Sequence, residues 1–185
     1  MCAALREAAG LYSPEDLEEM LVRYGRKLEF VPAEYAAALM SSARGQVVDG
    51  YHGLMVAELD EVHGAVRLPR MWREFVREAG RQSSRGTEGD RLRALKYVIA
   101  AFAMFVCEEP AHPVGTPFPG GYAVELHEGV YYCPVREVQG EVDETLCRFC
   151  PAVQSRERDL MLTKEERWFV EREEKLENYF YNFKG

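Results

Sequence analysis

The sequence predicts a mainly α fold: a helical, bundle-like body carrying a small cysteine-rich β-hairpin subdomain that binds a metal. Three observations carry this expectation. Apolar residues recur at three- and four-residue spacing through most of the first 106 positions, the signature of helices with one buried face. Composition breaks after Cys107: residues 108–121 hold four prolines and three glycines, and no regular helix survives that density. Finally, three of the five cysteines, Cys133, Cys147 and Cys150, fall within 18 residues.

Taken in order, Ser13-Pro14-Glu15-Asp16 opens the first helix. Ser13 suits the cap, Pro14 the first helical position, and the acids sit at the positive end of the dipole. Leu17, Met20, Leu21 and Tyr24 form its apolar face, and it stops near Leu28. A second helix starts after Pro32 with Tyr35, Ala36, Leu39 and Met40. Gly45 interrupts it, and the pattern resumes from Val47 to Val62 and stops at Gly64. Pro69 opens a third region, Met71 to Ala79, closed by Gly80. Residues 81–90 lack apolar content and read as a loop. Asp90 caps a helix through Leu92, Leu95, Val98, Ile99, Phe102 and Phe105, apolar nearly all round at its end and therefore the central core helix. Tyr122–Leu126 and Gly129–Cys133 flank His127-Glu128 and predict a hairpin. Thr163-Lys164-Glu165-Glu166 is a capping box opening a final helix. The chain is thus read as one domain over 1–185: a body over 1–106, a cysteine-rich metal-binding insertion over 107–150, and a C-terminal helix over 151–185 packing on the body.

Charge and hydropathy exclude several roles. The net charge of -8 and pI near 5.2 oppose phosphate-backbone binding, so nucleic acid is not the expected partner. The most basic stretch, Arg67 to Arg93, is interleaved with Glu74, Glu78, Glu88 and Asp90 and reads as a solvated face. The longest apolar run, Tyr97 to Cys107, spans eleven residues, against roughly 20 for a membrane span. The first residues lack a signal-peptide pattern. A cytoplasmic location follows as the expectation, and there clustered cysteines point to metal or redox chemistry rather than disulfides.

Cys147-Arg148-Phe149-Cys150 is a CxxC, in which two thiolates can ligate one ion while the intervening amides point at the sulfurs. Cys133 joins it from the hairpin end. Cys133 and Cys150 are each followed by proline, which ends regular structure and leaves the thiolate on a fixed turn. The predicted metal ligands are therefore Cys107, Cys133, Cys147 and Cys150, with His112 in reserve for Cys107. Zinc is the first expectation and a 4Fe-4S cluster the alternative, since spacing does not decide between them. Read alone, Cys107 is a small buried hydrophobe, and Cys2 is terminal. A redox CxxC has no βαβ context here. His52 and His63 lie eleven residues apart, which fits no ligand pair, so both read as surface. The stiff loop from His112 to Gly121 either presents His112 and Thr116 to a ligand or braces the metal subdomain against the helices. The brace is favoured, because turn chemistry explains it without a ligand.

His112-Pro-Val-Gly-Thr-Pro-Phe-Pro-Gly-Gly121, Val130-Tyr-Tyr-Cys-Pro-Val135 and Leu146-Cys-Arg-Phe-Cys150 resemble an uncharacterised archaeal protein family found chiefly in methanogens. The resemblance is specific over the C-terminal half and loose over the helical half. It carries no assigned activity. It implies an anaerobic archaeal cytoplasm, where an exposed iron-sulfur cluster survives, and implies that the cysteine motif and the His-Pro loop belong together.

The leading functional expectation is a non-catalytic metal-binding protein, an accessory or assembly factor acting through another protein. Its metal would tie the loop region to the helix end at Cys107. The competing expectation is a metalloenzyme or redox protein using a cysteine-ligated zinc or iron-sulfur centre beside His112, with Cys133, Cys147 and Cys150 as three ligands and an open fourth position.

Overall fold

A computed structural model describes residues 1–57, 70–87, 89–137 and 146–155. The expected C-terminal helix, the end of the second helical region and His63 lie outside the described residues.

The chain is mainly helical. It runs α1 (Cys2–Ala9), α2 (Pro14–Lys27), α3 (Ala33–Arg44), a π turn (Gly45–Asp49), α4 (Gly50–Val56), α5 (Arg70–Gln82) and α6 (Asp90–Phe105) before the short strands begin. α2 starts as its sequence dictates: Pro14 opens it and the Asp16 carboxylate accepts the Ser13 amide at 2.8 Å. Arg91 of α6 then donates to Asp16 at 2.6 Å, tying two helix starts together.

α6 is the central element. Leu92, Leu95, Tyr97, Ile99, Ala100, Ala101, Phe102 and Met104 are all buried along it, so it meets neighbours on several sides. One apolar cluster joins α6 to α1 and α5 through Leu5, Ala9, Leu54, Phe75 and Phe102. A second joins it to α2 and the π turn through Leu17, Leu21, Val47, Leu95 and Ile99. α4 approaches closely because Gly50 faces Ile99: a Cβ there would stand 2.9 Å from Ile99 Cγ2. Arg6 closes the far end of α4, its guanidinium donating to the Leu54 and Ala57 carbonyls, which the helix itself leaves unpaired.

Three local expectations are corrected, and one helix appears where the sequence carried no expectation. Cys2–Ala9 is helical, although eight residues give too little periodicity to read. Gly45 does not break the second helix but widens it into a π turn. Gly80 does not end α5, which continues to Gln82. Asp90 is not the cap of α6; Gly89 is. Asp90 instead accepts the Gly86 and Thr87 amides at 2.7 and 3.1 Å and so closes the preceding loop.

Beyond α6, Glu108 adopts φ 58° and the chain turns back, the Glu109 amide donating to Ala103 O at 2.9 Å. The proline-rich loop then docks on α3 and the π turn. Tyr35 Oη donates to Pro117 O at 3.2 Å, Ser42 and Thr116 share a hydroxyl contact of 2.5 Å, and Gln46 donates to Ala111 O. Thr116 is buried and also donates to Pro113 O at 2.7 Å. These bonds pin the loop to the helices.

The predicted hairpin exists with a changed register. β1 (Pro117–Phe118) pairs with β2 (Tyr122–Ala123), while β3 (Glu125–His127) pairs antiparallel with β4 (Val130–Cys133). Tyr122 and Ala123 therefore belong to a separate ribbon. The β3–β4 turn places Glu128 and Gly129 at φ 50° and 78°, the doubly left-handed form that matches hairpin twist. β5 (Val153–Gln154) adds a parallel strand beside β4. Among the described residues no helix is long and apolar enough to cross a membrane.

Candidate functional site

β4 delivers Cys133 to the base of the small sheet. The chain returns through a 3-10 turn, Cys147–Phe149, which presents Cys147 and Cys150 before β5 pairs back beside Cys133. The register fixes this meeting: Cys133 is opposite Gln154, and the Ser155 amide donates to Cys133 O at 3.1 Å. Gln154 Nε2 adds a bond to Pro134 O at 2.8 Å. Cys150 packs against the cluster around Cys133, and Cys147 and Cys150 both act electrostatically on the Cys133 thiol. Cys133 and Cys147 are buried and Cys150 is half-buried.

Cys133 sits in an apolar shell of Val124, Ala152, Phe118, Tyr131, Val135 and Cys150. Burial pushes its thiol up to about 11, opposed by the Val135 amide aimed at the sulfur and by Arg136, and reinforced by Cys147 and Cys150. An amide two residues beyond a cysteine and pointing at its sulfur is the local geometry that favours a bound thiolate. As the side chains stand, no group of three or more His, Cys, Asp or Glu among the described residues is arranged to hold a metal ion.

The other predicted residues lie elsewhere. Cys107 is exposed at the end of α6, so it is not the small buried hydrophobe that its sequence context suggests. Although the residue as a whole is exposed, partial desolvation of its thiol, then Glu109 and Cys2, raise its pKa. His112 packs edge-on against Phe118, with ring centroids 5.9 Å apart. Burial holds its imidazole below the ordinary value, and Lys96 adds to this. Phe118 belongs to the shell around Cys133, so the His-Pro loop and the cysteines share one apolar patch. His52 is exposed on α4.

Sequence reading passed over Glu78. In sequence it belongs to a solvated basic face, yet it is 7% exposed. Its Oε1 accepts from Arg81 at 2.8 Å and from Gln82 at 2.7 Å, and its Oε2 accepts from Arg81 at 3.0 Å. Arg148, inside the CxxC, stands 3.5 Å from the same carboxylate. The available signal was spacing, because Glu78 and Gln82 share a helix face with Phe75.

The Arg81 bond, followed by Gln82 and the nearby Arg148, holds the Glu78 carboxyl below the usual glutamate range against burial. A carboxyl depressed in the folded state stabilises it above the unfolded pKa, about 4.3, and that stabilisation is lost as pH falls through the folded value. Thermal melts of wild type between pH 7 and pH 3 should therefore show a steep acid-side loss. Glu78→Gln should flatten that loss while lowering stability at pH 7, and an unchanged acid limb would contradict this role.

The sequence pattern of the archaeal family described as "Uncharacterized protein conserved in archaea (DUF2115)" matches residues 1–155. The chain belongs to this family. Within it, a UPF0305 protein of Methanothermobacter thermautotrophicus is 34% identical over 152 residues, covering 82% of this chain and 92% of that relative. A UPF0305 protein of Methanopyrus kandleri is 33% identical over 98 residues, covering 53% and 65% respectively. One from Methanocaldococcus jannaschii is 21% identical over 123 residues, covering 66% of this chain and 74% of that protein. No solved structure matches. The family match takes in the helical body together with the loop and the cysteines, so the resemblance extends well beyond the C-terminal half.

Proposed function

We propose that this chain is a non-catalytic metal-binding protein, in which Cys133, Cys147 and Cys150 supply thiolates to one zinc ion and the occupied module acts through contacts with another protein. The observation that supports the reading is the β4–β5 pairing that packs Cys150 against the cluster around Cys133, with the Val135 amide aimed at the Cys133 sulfur. Cysteines at CxxC spacing, joined by a third on a strand end, form a thiolate set that suits zinc. The proposal rests on these three thiols, and Cys107, exposed just past α6, is the candidate fourth ligand with His112 in reserve.

The accessory role draws on the same module. Val130 and Val153 are exposed and share one face of the small sheet with Tyr132, apolar surface of the kind that protein partners cover. The metal would stiffen the sheet that displays it, since metal binding adds folding free energy to the segment supplying the ligands.

Metal analysis with a visible spectrum on anaerobically purified protein tests the reading. One zinc per chain with no visible absorption is expected. Bound iron with broad visible absorption would replace zinc by an iron-sulfur cluster, and protein free of any thiophilic metal overturns the proposal.

A further inference from the structure

We infer that Arg136 is a positioning residue for the thiolate site, its guanidinium fork fixing the separation between Cys133 and the CxxC turn. This rests on the metal-binding reading above. Arg136 follows Cys133 by three residues. Its Nε donates to Ala152 O at 3.0 Å and its Nη2 reaches Arg148 O at 3.5 Å. One carbonyl lies inside the CxxC and the other lies two residues past Cys150. A single planar group thus spans both sides of the turn that carries two of the three sulfurs, and its charge stands near the third.

Arg148 completes the arrangement from inside the CxxC. Its guanidinium lies 4.5 Å over the Phe149 ring and 3.5 Å from Glu78 Oε2. The turn is thereby anchored to α5, while Arg136 anchors Cys133 to the turn. Three thiolates around a divalent ion would leave net negative charge, and Arg136, whose charge acts on the Cys133 thiol, would oppose it, while Arg148 faces Glu78. Arginine is the side chain that suits this task. Its rigid fork serves two carbonyls at once, whereas lysine keeps the charge as a single flexible point.

Groups outside the ligand set that orient it change metal affinity by about 10- to 100-fold when removed. The test titrates zinc and Co(II) into full-length wild type, Arg136→Ala and Arg136→Lys under anaerobic, reducing conditions. A chelating indicator reads affinity, and the Co(II) absorption bands read ligand geometry. Both variants are expected to bind about 10- to 100-fold more weakly, with shifted Co(II) bands. Wild-type affinity and spectrum in Arg136→Ala would overturn the inference. So would full rescue by Arg136→Lys, because charge without the fork would then suffice. Arg136→Lys retains the charge and side-chain length, so it decides the matter even if the alanine variant does not fold. A wild type that binds neither metal defeats the metal-binding reading itself, and that arm is read before either variant.

Discussion

Cys147→Ser with Cys150→Ser is expected to take bound metal from one ion per chain to none and to lower the melting temperature. Two of the three proposed thiolates are removed, and the single remaining cysteine cannot hold zinc in a closed site. The loss should be regional. Cys133, Val124 and Ala152 form an apolar cluster of their own around the site, whereas α6 and its partners hold two further clusters built mostly from helices. Far-ultraviolet circular dichroism should change little, while limited proteolysis should open new cuts in the described stretch from residue 108 to 137. Part of the effect does not involve metal, because serine at buried position 147 carries a hydroxyl into an apolar setting, at about 1–3 kcal/mol. A chelator separates the two contributions. It should lower the melting temperature of wild type and leave the double variant unmoved. Wild-type protein that keeps its full stability after metal removal would sink the idea.

The same contrast between local and long-range information explains what the sequence made legible. The start of α2 at Ser13-Pro14 and the burial of α6 follow from residues within one or two turns, and both were readable. The spacing of Cys133 and the CxxC suggested a shared ligand set, and the fold packs Cys150 against the cluster around Cys133. The features that escaped depend on distant partners. β5 is two residues long and exists because Val153 and Gln154 find Tyr132 and Cys133. The ribbon of Pro117–Phe118 with Tyr122–Ala123 splits the expected hairpin, because the brace to Tyr35 and Ser42 fixes where the loop runs. Gly80 reads as a stop, yet the packing of Phe75 and Ala79 outweighs a glycine cost of about 1 kcal/mol. Glu78 reads as solvent-facing because charge dominates its neighbourhood in sequence, and only the fold brings Arg148 to it. Cys107, taken alone, reads as a small buried hydrophobe. The reversal at Glu108 leaves it exposed beside α1.

Phe75→Ala should be among the most damaging single changes in the helical body, because this ring joins the body to the cysteine turn. Phe75 is 2% exposed. Its ring meets Trp72 at 6.0 Å, Tyr97 at 5.7 Å, Phe105 at 5.1 Å and Phe149 at 5.2 Å. Phe149 lies between the two CxxC cysteines, so the contact carries α5 and α6 directly to the candidate site. Truncating a buried phenylalanine costs about 3–5 kcal/mol through lost burial and the cavity left behind. For a chain of this size each 1 kcal/mol moves the melting temperature by about 2–4 °C, which gives a fall of roughly 6–20 °C. Phe75→Leu should recover most of it, since it refills much of the volume. The aromatic junction also makes a prediction about metal. If Phe149 transmits support from α5 to the turn, Phe75→Ala should weaken zinc binding while all the cysteines remain in place. A melting temperature within 2 °C of wild type would show that the ring cluster does not support the body. A large fall with unchanged zinc affinity would show that Arg136 and the β4–β5 pairing hold the site without help from α5.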